Sequence, residues 1–123
     1  MMPKIMVADD DMTMVSLLKT LLSMEGYQVI IADVNEDIPA AVQQDMPDAL
    51  LLDVYLPSAN GLDVLDRLRR NTETKKIPIV MASGLNLRDE CLDHGANDFL
   101  LKPYMPDDLL KILKNQISPA SKR

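Results

Sequence analysis

The feature that most constrains this chain is an alternation. Short apolar runs are followed, five times over, by segments of helical periodicity. The runs occupy residues 4–8, 28–32, 49–54, 79–82 and 99–101. The third, ALLLDV, is apolar without alternation, as a strand covered on both faces requires. In the first helical segment Met14, Leu17, Leu18, Leu21 and Leu22 form one broad stripe, and Gly26 stands where a left-handed cap would close it. The second, 37–46, has Pro39 in its first turn and stops before Pro47. The third, 62–71, sets Leu62, Leu65 and Leu68 on one side, with Asp63–Arg67 and Asp66–Arg70 at ion-pair spacing on the other. The fourth, 86–94, is short and ends at Gly95. The fifth, 106–117, repeats Leu109, Leu110, Ile112, Leu113 and Ile117, with Asp107 and Asp108 in the turn where a helix dipole favours acids. Parallel strands need crossovers, so five such units predict a doubly wound α/β fold, a parallel sheet with helices on both faces.

Bulk properties narrow the function. At 123 residues the chain predicts one domain over 1–118, large enough for a core without staples, and a frayed tail over 119–123. The formal charge of −6 disfavours binding to phosphate backbones or anionic lipid. With no Trp and one Phe, stacking on bases is poorly supplied. No apolar run approaches the roughly 20 residues of a membrane span. The single Cys91 makes no internal disulfide, and no basic start leads into a cleavable apolar segment, so the expectation is a soluble cytoplasmic protein. The nine Met are expected to fill the core.

In doubly wound sheets, ligands bind beyond the carboxyl ends of the strands. Those ends carry Asp9-Asp10-Asp11, Asp53, Ser83 and Lys102. Two carboxylates about 4 Å apart repel by roughly 4 kcal/mol at an effective dielectric near 20, so something must offset them. Asp9, Asp10 and Asp53 would make a hard oxygen site suited to Mg²⁺, and without a cation at least one of them should have a raised pKa. Lys102 can pair with Asp53 at rest and with a phosphoryl oxygen later, and Ser83 offers another oxygen a hydroxyl donor. These are parts for phosphoryl transfer to a carboxylate. Asp11 reads as the cap of the first helix. His94 reads as a solvated residue at a helix end, Cys91 as inert, and Pro103, Asn60-Gly61 and Gly95 as turn residues.

The stretches IMVADDD, PDALLLDVYLPSANG, IPIVMASG and GANDFLLKPY, in this order and at near-usual intervals, resemble the response-regulator receiver domains, the CheY-like phosphoacceptors of two-component signalling. The resemblance implies a flavodoxin-like (βα)5 fold with strand order 2-1-3-4-5. It makes Asp53 the phosphoacceptor and Asp10 a direct Mg²⁺ ligand, with Asp53 and the main-chain carbonyl of Tyr55 beside it and Asp9 acting through water. Ser83 matches the switch hydroxyl, Phe99 the switch aromatic, and Lys102 the family lysine; the bond before Pro103 is expected to be cis. A phosphohistidine on a sensor kinase or phosphotransfer protein would be the donor. Phosphorylation would draw in the Ser83 hydroxyl, turn Phe99 inward, and bias the face of the fourth helix, fifth strand and fifth helix toward a downstream protein. Such a domain catalyses only its own phosphorylation and dephosphorylation and is not otherwise an enzyme.

The chain departs from the family pattern in three ways. Between Ser83 and Gly95 the chain is about three residues short of the usual length, close to one helical turn of about 3.6 residues. Gly84 replaces a small side chain beside the switch hydroxyl. Tyr55 and Leu85, two residues beyond Asp53 and Ser83, form a bulky pair expected to shield a phosphoryl group from water. Two rival readings exist. Asp9-Asp10-Asp11-Met12-Thr13 fits the D-x-D-x-T pattern of haloacid-dehalogenase-like phosphohydrolases, with Asp9 as nucleophile and Asp11 as acid/base, but leaves Asp53 without a role. The other is an interaction module that takes no phosphate.

Overall fold

The computed structural model describes residues 2–117; the tail expected at 119–123 lies outside them. Strands and helices alternate: β1 (Lys4–Ala8), α1 (Met12–Met24), β2 (Gln28–Ile31), α2 (Ile38–Asp45), β3 (Ala49–Asp53), α3 (Gly61–Arg70), β4 (Ile79–Ser83), α4 (Arg88–Asp93), β5 (Asp98–Leu101) and α5 (Pro106–Gln116). The sheet is parallel throughout, in the order β2-β1-β3-β4-β5. This is the expected doubly wound arrangement, and strand order reverses at β1.

Register positions the site. Ala8 lies opposite Leu52, Asp53 opposite Ala82, and Ser83 opposite Leu101, so the carboxyl ends of the four strands β1, β3, β4 and β5 finish at one edge. Alternation along each strand divides the apolar residues between two layers. Met6, Ala8, Leu50, Leu52, Ile79, Met81 and Phe99 pack beneath α2, α3 and α4. Ile5, Val7, Leu51, Val80, Ala82 and Leu100 pack beneath α1 and α5. Burying each large aliphatic side chain contributes roughly 1.5–3 kcal/mol, which makes this double layer the main source of stability.

Some local expectations change. Leu17 is exposed, because the buried stripe of α1 runs through Val15, Leu18 and Leu22. Of the methionines, Met6 and Met81 are fully buried, whereas Met2, Met12, Met24, Met46 and Met105 lie on the surface. The fourth helix is shorter than 86–94: Asn86 turns the chain instead, its Oδ1 accepting the Arg88 N–H at 3.3 Å. Cys91 is wholly buried. His94 is not merely solvated, because its Nδ1 lies 2.7 Å from Asp66 Oδ1, and this bond raises its pKa.

One structural residue carries no signal in the apolar pattern. Arg69 ties α3 to two loops: its Nε donates to Gly95 O (2.8 Å), one terminal nitrogen to Lys75 O (3.0 Å) and Ile77 O (2.8 Å), and the other to Asn97 Oδ1 (2.8 Å). All four acceptors are neutral oxygens, so its planar fork of donors matters more here than its charge. Arg69→Met, which keeps the aliphatic stem, should lower unfolding free energy by about 2–3 kcal/mol. Urea denaturation checks this as a lower midpoint at unchanged slope.

Candidate functional site

The strand edge sorts the three consecutive acids. Asp9 leaves β1 buried, with 3 % of its surface exposed, and its Oδ1 accepts the Asp11 N–H at 2.9 Å. Asp10 is exposed. Asp11 caps α1 as expected, its Oδ1 accepting N–H bonds from Thr13 and Met14, both at 3.1 Å. Asp53, the last residue of β3, is 6 % exposed. One carboxylate oxygen from each of Asp9, Asp10 and Asp53 lies within 4.8 Å of the others. Three hard oxygen donors so placed fit Mg²⁺, which favours a few carboxylates and retains waters.

Lys102 enters this pocket from the end of β5. Its Nζ lies 3.0 Å from Asp53 Oδ2, the expected pair, and 2.9 Å from Asp9 Oδ2, a second pair that the residue order does not signal. Burial alone would lower the Lys102 pKa, but the bonds to the two carboxylates outweigh it and the net shift is upward. The Asp53 pKa is raised. Burial is the largest cause, opposed by the bond to Lys102 and reinforced by the charges of Asp9 and Asp10. The direction is the one expected, while desolvation outranks like-charge repulsion as its origin.

The remaining residues line the same edge. Ser83 is buried at the end of β4; its Oγ accepts the Leu85 N–H at 3.1 Å, and its carbonyl accepts the Lys102 N–H at 2.8 Å. The Lys102–Pro103 bond is cis. Tyr55 and Leu85 are 55 % and 59 % exposed in the loops after β3 and β4, and the backbone of Tyr55 bridges to Asn60. Phe99 is already buried among the core residues beneath α3 and α4, so the inward turn implied by the resemblance has no outward starting position in this structure.

Gly61 has more than a turn role. A Cβ there would collide with the main-chain carbonyl of Asp53, and its N–H donates to Val54 O at 2.6 Å. Only glycine lets α3 begin against the end of β3. In the sequence its Asn-Gly context reads as an ordinary turn.

Residues 5–114 match the family model described as the response regulator receiver domain. The chain is 43 % identical over 112 residues to the transcriptional regulatory protein CpxR of Klebsiella pneumoniae, covering 89 % of this chain and 47 % of that protein. It thus spans about half the length of the curated relatives it matches. Among solved structures it resembles the chemotaxis response regulator CheY4 of Vibrio cholerae (28 % identity, TM-score 0.85, 94 % of this chain and 99 % of that one). It also resembles the receiver domain of a Pseudomonas aeruginosa sensor histidine kinase (25 % identity, TM-score 0.83, 97 % and 100 % covered), a structure with a magnesium ion coordinated in its active site cleft. The chain belongs to the response-regulator receiver family of two-component signalling. The hydrolase reading is not favoured, since Asp11 is engaged as a helix cap and Asp53 is drawn into the pocket.

The raised Asp53 pKa has a stability consequence of fixed sign. The folded chain holds this proton to higher pH than the unfolded chain, so the contribution is most favourable below about pH 4 and is lost as pH rises through the folded value. Asp53→Asn stays uncharged throughout. In chelator at pH 7 it should melt several degrees above the parent protein, and the gap should close as pH falls toward about 4, as thermal denaturation followed by circular dichroism will show.

Proposed function

We propose that Asp53 accepts a phosphoryl group from a phosphohistidine of a sensor kinase or phosphotransfer protein, and that the domain is a phosphorylation-controlled switch. The observation that carries this reading is the single ammonium of Lys102 held between the buried carboxylates of Asp9 and Asp53. An Asp53 oxygen attacks phosphorus; the P–N bond to the donor imidazole breaks as the new P–O bond forms, and the imidazole leaves with the electron pair. Lys102 offers its ammonium to the incoming phosphoryl oxygens. Ser83, whose Oγ is an acceptor at rest, has its O–H to donate to another. Asp9, Asp10, Asp53 and the carbonyl of Tyr55 would hold Mg²⁺, which when bound neutralises charge on the carboxylates and the phosphoryl oxygens.

The readout is a change in the α4, β5 and α5 face. Arg88 at the start of α4 pairs with Asp98 (3.2 Å) and donates to Phe99 O (2.9 Å), while Leu92 and Leu101 are exposed there. We read this face as the site for a downstream protein. The domain itself contacts neither nucleic acid nor membrane, works in the cytoplasm, and turns over no second substrate. Among the described residues no helix is long and apolar enough to cross a membrane.

Incubation with acetyl phosphate and Mg²⁺ should give a covalent phosphoryl adduct by intact mass, absent in Asp53→Ala and absent with excess chelator. An adduct that persists in Asp53→Ala and disappears in Asp9→Ala would restore the hydrolase reading. Tyr55 and Leu85 act as a screen over the acyl phosphate. Tyr55→Asn should therefore lose its adduct severalfold faster than the parent protein; an unchanged or slower loss removes the screen from the account.

A further inference from the structure

The spacing of α3 offers Asp66 an intrahelical partner in Arg70, yet its carboxylate turns to α4 instead, where Oδ1 lies 2.7 Å from Nδ1 of His94. His94 is the residue that ends α4, and its N–H donates to Glu90 O at 3.1 Å. A helix of six residues gains little from its own hydrogen bonds, so tertiary contacts hold it. Cys91 anchors its middle in the core, Arg88 fastens its start to β5, and His94 fastens its end to α3. Of these three, His94 alone has a charge that changes near neutrality, because an unperturbed imidazole titrates at about pH 6.5.

We propose that His94 and Asp66 form a proton-operated latch that ties the end of α4 to α3 in acid and loosens in base. The acids that bear on the imidazole are Asp66 of α3, foremost through its hydrogen bond, and Asp93 and Glu90 of α4 itself; together they outweigh desolvation and raise its pKa. On the α3 side Arg69 directs its donors to Gly95 O, Lys75 O, Ile77 O and Asn97 Oδ1, and on the β5 side Asp98 is paired with Arg88. A group that holds its proton more tightly in the fold contributes most below its unfolded value of about pH 6.5, and the contribution is lost as pH rises through the folded value. The neutral ring can still donate one hydrogen bond through Nδ1–H, but the attraction between charges is gone. With 41 % and 32 % of the two side chains exposed, the effect is modest. The face of α4, β5 and α5 thereby becomes sensitive to pH, and the latch itself needs no phosphoryl group.

The chain has one His and one Cys, and both belong to α4 or its end. The imidazole Cε1–H resonance follows the proton on His94 by NMR. Labelling of the buried Cys91 thiol by a small disulfide reagent follows opening of α4, once divided by the labelling rate of the urea-unfolded chain at the same pH. In the parent protein this ratio should rise about two- to fivefold between about pH 5.5 and about pH 8.5. His94→Gln and Asp66→Asn, both at partly exposed positions, should hold the parent's high-pH ratio across the whole range, and Asp66→Asn should bring the imidazole back toward about pH 6.5. A ratio that stays flat in the parent protein overturns the proposal. So does a rise that persists undiminished in either variant, the result expected if another titrating group governs the opening, and so does an imidazole that titrates at the same pH in Asp66→Asn as in the parent. None of these readings requires an adduct at Asp53, so failure of the latch leaves the acceptor chemistry standing, and an absent adduct leaves the latch standing.

Discussion

The site depends on one ammonium shared by two buried carboxylates. Asp9 and Asp53 come from adjacent strands, β1 and β3, and have almost no solvent to spread their charge. Removing the partner of a buried charge commonly costs about 3–5 kcal/mol, so Lys102 is what makes this pair tolerable in the resting fold. Reach explains why a lysine serves. Strand β5 lies two positions from β3, about 10 Å at the usual spacing, and a compact charge on a long flexible stem can cross β4 to reach both acids. The compensation is incomplete. Three carboxylates and one ammonium leave two formal negative charges, which one divalent cation matches.

The sheet that assembles the pocket also connects it to the surface. Ser83 ends β4 and accepts the Lys102 N–H through its carbonyl, so the ends of β4 and β5 are fixed to one another. Two residues in from the end of β5, Phe99 lies in the layer under α3 and α4, and its carbonyl accepts from Arg88 at the head of α4. With only six residues, α4 gains little from its own hydrogen bonds and relies on such tertiary anchors: Cys91 in the core, Arg88 on β5, and His94 on Asp66 of α3.

Fold and pocket were legible in the sequence to different depths. Strand β3 declares itself because a continuous apolar run followed by Asp53 has one good solution, a strand buried on both faces whose first polar residue meets the edge. The pairing of Lys102 with Asp53 follows from opposite charges placed at the carboxyl ends of strands in one sheet. Its bond to Asp9 does not, because three identical residues carry no mark of which one turns inward where an extended strand gives way to a helix. Arg69 and Gly61 were hidden for a related reason. Three of the four acceptors of Arg69, and the atom against which Gly61 packs, are main-chain carbonyls, which every residue has, so little in the side-chain pattern announces them. Leu17 lies outside the buried face because the apolar stripe of α1 is wider than the face it buries.

The consecutive acids show how local geometry gives like residues unlike roles. The backbone turns into α1 directly after them, and the free N–H groups of that helix start run back toward the carboxylates: Asp11 N–H to Asp9, Thr13 and Met14 N–H to Asp11. Part of the mutual repulsion is thus met by main-chain donors with no ion present. Among the described residues Asp10 accepts no such bond, and it alone of the three pocket acids is exposed. Its lone pairs remain open to solvent, so a hydrated cation can bind there without first breaking an internal hydrogen bond. Asp9 and Asp53 are already paired with Lys102 and would share that pairing with any ion they held. Of the three acids that would hold a cation, Asp10 is the one not already bonded among the described residues, and Asp9 and Asp53 are the two that Lys102 holds.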